Sequence, residues 1–212
     1  MKKYVVLSIL FILPIAVYMF FATGVNNFAK LPILSETVEE PTAFKTAEGE
    51  AVTLNDHITV LAFMGSSPME YKIGAYNLAH KIFKKNEGFE EFQFLFIYPE
   101  AAKEDALTLE NKVAEIASTE RWISAFGSEK DIVKMFQSLK VPYSLENKTN
   151  TPYVFIIDKE GNLRGRNDDE DVGMMYGYNA MDIAEINNKM SDDVKVLLAE
   201  YRRALKKYKA DR

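Results

Sequence analysis

Two periods of apolar residues alternate along the chain. "HITVLAFM" (His57 to Met64), "FQFLFIY" (Phe92 to Tyr98) and "PYVFII" (Pro152 to Ile157) are short, nearly continuous apolar runs bounded by turn formers, the pattern of strands buried on both faces. Arg121 to Phe126 predicts one more strand, and "DKEGN" turns into "LRGR" as the return of a hairpin. Between the runs, Ile73, Tyr76, Leu78, Ala79, Ile82 and Phe83 recur at helical spacing up to "NEG", and Leu107, Leu109, Val113 and Ile116 do the same. Ser128 is placed to cap a helix over "EKDIVKMFQSL", with acidic residues in its first turn. Ser191 is expected to open the last helix, on one face of which Val194, Leu197, Leu198, Tyr201, Leu205 and Tyr208 fall. Strands alternating with helices predict an α/β fold, a central mixed sheet with helices on both faces.

The N-terminus breaks this pattern. Tyr4 to Thr23, "YVVLSILFILPIAVYMFFAT", has no charge in 20 residues, enough at about 1.5 Å per residue to cross a hydrocarbon layer of about 30 Å as a helix. Lys2 and Lys3 precede it and the next charge is Lys30, so the positive-inside tendency keeps the short N-terminus in the cytoplasm and exports the rest. A cleaved signal peptide is the competing reading, but its apolar region is shorter and ends in a small-x-small site, whereas this run ends "FFATG". The expected organisation is residues 1–3 cytoplasmic, 4–24 a single transmembrane anchor, 25–44 a tether, and 45–212 an exported domain. In a bacterium that is an inner-membrane protein with its domain in the periplasm.

Composition removes several chemistries. The chain has 212 residues and no cysteine, which excludes disulfides, thiolate nucleophiles and thiolate metal sites of its own. Only two histidines occur, His57 and His80, too few for a histidine-rich metal cage. A net charge of -5 and the lack of a basic, aromatic-interleaved block argue against nucleic acid as a partner.

The apolar anchor, "VTL" before the first buried strand, the strand-turn-helix "FMGSSPMEY" and the late "TPYVFIIDKEGNLRG" together resemble the thioredoxin-like superfamily, in particular its Sco/SenC branch, over roughly Leu31 to Arg212. That resemblance implies a thioredoxin-like sheet and a cis bond between Thr151 and Pro152. Sco-like proteins carry Cys-Pro-x-x-Cys-Pro after the first core strand and a histidine before the late strand, and use them for copper or thiol exchange. Laid on this chain, the cysteine positions are Ser67 and Tyr71, the prolines Pro68 and Lys72, and the histidine Asn150. Oxygen and amide groups are poor partners for Cu(I). The resemblance therefore implies a degenerate site with no catalytic residue and no cofactor, on a protein that binds respiratory or assembly proteins in cytochrome c oxidase biogenesis. An enzyme or redox partner using cysteines supplied by another protein is the alternative, and a ligand-binding surface at Ser67, Tyr71 and Pro152 is a third reading.

Other residues carry weaker signals. Ser67 lacks the G-x-S-x-G setting and a neighbouring histidine, so a turn or capping role is expected. Met64 and Met69, joined by Met174 and Met175, are thioether candidates for Cu(I), although methionine more often fills a core. "NDDED", Asn167 to Asp171, lacks the ligand spacing of a calcium loop and reads as a solvated acidic loop. Trp122 reads as core.

Overall fold

The computed structural model describes the backbone of residues 2–23 and 30–210, and their side chains apart from 2, 5–8, 20–23 and 205–210. Helix α1, Lys2–Thr23, is 22 residues long with Pro14 inside it. Among the described residues no helix is long and apolar enough to cross a membrane, and the described side chains of α1 are continuous only from Ile9 to Met19, all of them exposed. Residues 24–29 of the expected tether, and the side chains of Leu205 and Tyr208, lie outside the described residues.

Strands β1 (Ile33–Ser35), β2 (Ile58–Met64), β3 (Phe92–Pro99), β4 (Trp122–Gly127), β5 (Asn150–Ile157) and β6 (Leu163–Arg164) form a mixed sheet in the order β1-β6-β5-β2-β3-β4. β2, β3 and β4 run parallel, and β5 is antiparallel to both β2 and β6. A separate hairpin of β7 (Arg166–Asp169) and β8 (Gly173–Met175) follows, and β9 (Tyr178–Asn179) pairs with β5.

Period-two alternation hidden inside the apolar runs sorts their side chains onto two faces. Val60, Ala62, Phe94, Phe96, Val154 and Ile156 enter one buried cluster. Leu61, Phe63, Leu95, Ile97, Phe155 and Ile157 enter the other. The first is covered by α2 (Lys72–Leu78), which passes through a π-helical turn, Ala79–Phe83, into the short α3 (Lys84–Asn86), by α4 (Lys103–Ala114), and by the last helix. The second is covered by α5 (Glu129–Ser138), whose N-cap Ser128 accepts from the Asp131 amide as expected. Trp122 is core: its ring stacks on Phe96 with centroids 4.1 Å apart, a contact of the kind that adds about 0.5–1.5 kcal/mol beyond area burial.

Four expectations need correction. Ser191 does not open the last helix. That helix starts at α6 (Ile183–Glu185), capped by Asp182, whose carboxylate accepts from the amides of Ala184 and Glu185, and continues through a π-helical turn at Ile186–Met190 into α7 (Ser191–Ala210). Ser191 is buried mid-helix because the apolar face already begins at Ile186. The segment read as tether is part of the domain from Leu31 onward: Leu31, Val38 and Phe44 are buried, and the Val38 amide donates to the Gly161 carbonyl.

The Thr151–Pro152 peptide is trans, like every peptide bond among the described residues. β5 bulges there, Ala62 pairing with Val154 and Met64 with Asn150. The missing proline N–H thus falls where the ladder is already interrupted, and the strand passes in the isomer that X–Pro bonds prefer by roughly 0.5–1 kcal/mol.

The acidic loop, finally, is not wholly solvated. Asp169 is buried, and its carboxylate accepts from Lys189 at 2.8 Å and from the amides of Asp171 and Val172. A cation beside it, together with those amides, makes burial of this carboxylate tolerable. The hairpin after β5 forms as expected around Gly161, at φ +77°. Asp158 at its base accepts from the Glu160 and Asn162 amides and from Arg164 at 2.9 Å. Arg164 is itself buried, and also donates to Glu200 and to the Leu31 carbonyl.

Candidate functional site

β2 delivers Met64 to the end of the sheet, and the chain leaves it through Gly65, at φ +70°. A side chain is disfavoured there twice over. The left-handed backbone suits glycine, and a Cβ would stand 2.7 Å from Asn150 Cβ and 2.9 Å from its Oδ1. Ser67 then stands at the N-terminus of a 3₁₀ turn, Pro68–Tyr71, without a side-chain cap bond. Its carbonyl, not its hydroxyl, serves the turn, accepting from the Glu70 amide at 3.0 Å. Pro68 occupies the first turn, where its missing N–H removes nothing.

Across the cleft, residues 146–150 reverse direction through Asn147 and Lys148, both at positive φ. The amide of Glu146 donates to the Asn150 carbonyl, and the Asn150 amide donates back. Glu146 is thereby brought beside Asn150 and in front of Tyr71. Asn150 Nδ2 donates to Tyr71 Oη at 2.5 Å, and Tyr71 Oη donates to Glu146 Oε2 at 3.0 Å. Burial, and then the Glu146 carboxylate to which it donates, push the Tyr71 phenol above its ordinary range, while Asn150 pulls it down. The phenol is therefore neutral at physiological pH, and the relay is a chain of hydrogen bonds with one carboxylate at its end.

Two of the three positions drawn from the resemblance, Tyr71 and Asn150, are in direct contact. The third, Ser67, lines the same cleft of about 100 Å³ as Tyr71 and Asn150. Glu146 was not anticipated; only the Asn147-Lys148 turn before Asn150 hints at it. Met64 is buried in the first cluster and Met69 packs against it, as core methionines do. Met175 faces that core as well, while Met174 is exposed. His57 precedes β2, where its Nδ1 lies 2.8 Å from the Asn55 carbonyl, and His80 is exposed on the helix; neither lines the cleft. Among the described residues no three of His, Asp and Glu are grouped to hold a metal. The apolar space beside Pro152, Met64 and Tyr71 amounts to about 10 Å³, room for about one water at most, so the third reading has no pocket of ligand size beside Pro152.

No protein-family profile matches the chain, and no curated protein matches it. Solved structures do. A SCO1/SenC family lipoprotein from Bacillus anthracis str. Ames is 18% identical with a TM-score of 0.52, covering 78% of this chain and 95% of its own. A candidate electron transport protein from Aquifex aeolicus VF5 is 13% identical with a TM-score of 0.53, covering 77% and 96%. Copper-bound ScoI of Arabidopsis thaliana is 19% identical with a TM-score of 0.47, covering 75% and 99%. At such identities the likeness is one of fold alone: a thioredoxin-like central mixed sheet covered by helices.

Proposed function

We propose that this protein is a membrane-anchored binding or accessory factor, its Sco-like domain facing the bacterial periplasm, that serves respiratory complex assembly, of which cytochrome c oxidase is the family's example. The observation that carries the reading is the contact among Asn150, Tyr71 and Glu146. The place where the resemblance puts a thiolate and an imidazole holds an amide and a phenol bonded to each other and to a carboxylate. These groups offer hydrogen bonds to a partner, and neither soft copper ligation nor thiol exchange is within their chemistry.

The anchor rests on 20 uncharged residues in one continuous helix, α1, about 33 Å long at 1.5 Å per residue, whose described apolar side chains are exposed. The test is cross-linking of the full chain in its native membranes, with protease accessibility measured from each side. Recovery of respiratory or assembly components, and digestion of the domain from the periplasmic side alone, is the expected result. Repeated recovery of unrelated partners only, a soluble mature protein starting near Gly24, or thiol oxidation by the purified chain would overturn it.

A further inference from the structure

We infer that the β7–β8 hairpin is a docking element for a basic juxtamembrane segment of an integral membrane protein, an inference that rests on the anchored reading above. The hairpin is held rigidly at its base. Arg166 Nε and Nη2 donate to the Asp193 carboxylate at 2.7 and 3.0 Å, and Lys189 Nζ donates to Asp169 and Asp171 at 2.8 and 2.6 Å. Both contacts tie it to the last helix. A preorganised element loses little freedom when it binds.

What it presents outward is unusual for a surface turn. Val172 is 59% and Met174 47% exposed, while the Asp168 and Glu170 carboxylates beside them form no ion pair among the described residues. Residues 166–175 carry one arginine and four carboxylates, a net charge of -3. Two exposed apolar side chains on a hairpin that also carries two exposed carboxylates without ion pairs among the described residues complement a segment that is itself apolar and basic. Anionic headgroups would be repelled by the same charge, which disfavours lipid as the occupant.

The chain itself determines where such a partner must be. Lys30, Leu31, Asp168 and Asp171 line one cavity of about 450 Å³ between the hairpin and the start of the domain. The Gly165 amide, one residue before the hairpin, donates to the Pro32 carbonyl at 3.1 Å. α1 ends at Thr23, and seven Cα-to-Cα steps from there to Lys30 reach at most about 25 Å. The hairpin is therefore confined near the outer face of the bilayer, where the segments flanking another protein's spans lie. Five carboxylates (Asp168, Asp169, Glu170, Asp171 and Asp193) line that cavity against three cations (Lys30, Arg166 and Lys189). The excess of two negative charges favours a long basic side chain with its stem against Leu31 and Val196.

The test places a photo-reactive amino acid at Val172, at Met174, or at Leu107 on α4 as a control, in the full chain in native membranes, and sequences the cross-linked peptides. Adducts from Val172 and Met174 are expected to map to an integral membrane protein, within about 15–20 residues of a span and in a net positive segment. Asp168→Asn with Glu170→Gln is expected to lower the yield about fivefold, as is raising salt to about 0.5 M. Both carboxylates are exposed, so the variant keeps the fold, which Trp122 fluorescence reports. Adducts with lipid, with a soluble protein or with a neutral or acidic segment would overturn the inference, as would yields indifferent to that variant. If respiratory components are still recovered while the hairpin gives no such adduct, the inference fails and the proposed function stands. If the adducts map to a basic segment of a membrane protein unrelated to respiration, the docking element stands and the respiratory role fails.

Discussion

Replacing Gly65 by alanine tests how the cleft is built, because the two costs at that position can be separated. The first is conformational: an L-residue forced to φ +70° loses roughly 1–2 kcal/mol. The second is steric, since the new methyl would lie 2.7 Å from Asn150 Cβ, an overpacking of the kind that costs about 1–3 kcal/mol. Gly65→Ala is therefore expected to destabilise the domain by about 2–5 kcal/mol. In an Asn150→Gly background the steric part vanishes and the same change is expected to cost only about 1–2 kcal/mol, leaving a coupling of about 1 kcal/mol or more. Urea unfolding of the full chain in detergent, followed by the emission of Trp122, the only tryptophan and a buried one, measures all four corners of the cycle. Equal costs in both backgrounds would refute the packing of Asn150 against Gly65, and a total under about 0.5 kcal/mol would refute the left-handed turn as well.

Three further outcomes follow from described contacts. Tyr71→Phe removes the hydroxyl between Glu146 and Asn150; in this half-exposed cleft it is expected to cost about 1 kcal/mol and, on the proposed function, to lower capture of respiratory or assembly components, and unchanged capture would remove the cleft from the proposed binding surface. Arg164→Leu strands Asp158, whose side chain is 1% exposed, and is expected to cost about 3–5 kcal/mol by denaturant midpoint; a loss under about 1 kcal/mol would mean that the backbone amides on Asp158 suffice. Burial raises the Glu110 carboxyl above its ordinary range although Ser124 lowers it, so its contribution is full below the unfolded pKa and is lost as pH rises through the higher folded one. A stability profile across pH 4–8 is thus expected to fall less steeply in Glu110→Gln, and parallel profiles would rule this out.

The sheet could be read from the sequence because β2, β3 and β5 are apolar runs too short and too β-branched or aromatic for helices, with turn formers at their ends. Their two-faced sorting could not, since alternation is invisible when both faces are dry. The last helix was placed too late because Ser191 with two aspartates imitates a cap, while the true cap, Asp182, precedes a π-helical turn that shifts the apolar period. In the cleft, Tyr71 and Asn150 were found by alignment to a known pattern, not by any chemistry of their own. Glu146 stayed hidden because its place depends on two non-glycine residues adopting left-handed backbone, a choice that tertiary packing makes. Asp169 was read as solvated because its partners, Lys189 and the amides of its own turn, are not adjacent in a way that a charge pattern reveals.

The anchoring of Leu31 by Arg164, with Val38 and Phe44 sunk under the sheet, bears on how the domain can be handled. A fragment trimmed to begin at Lys45 would uncover greasy surface on both layers and deprive a buried guanidinium of one acceptor, and should precipitate. The smallest unit whose two buried layers both stay covered starts at Leu31, so a load applied at that end is borne first by the sheet's edge strand.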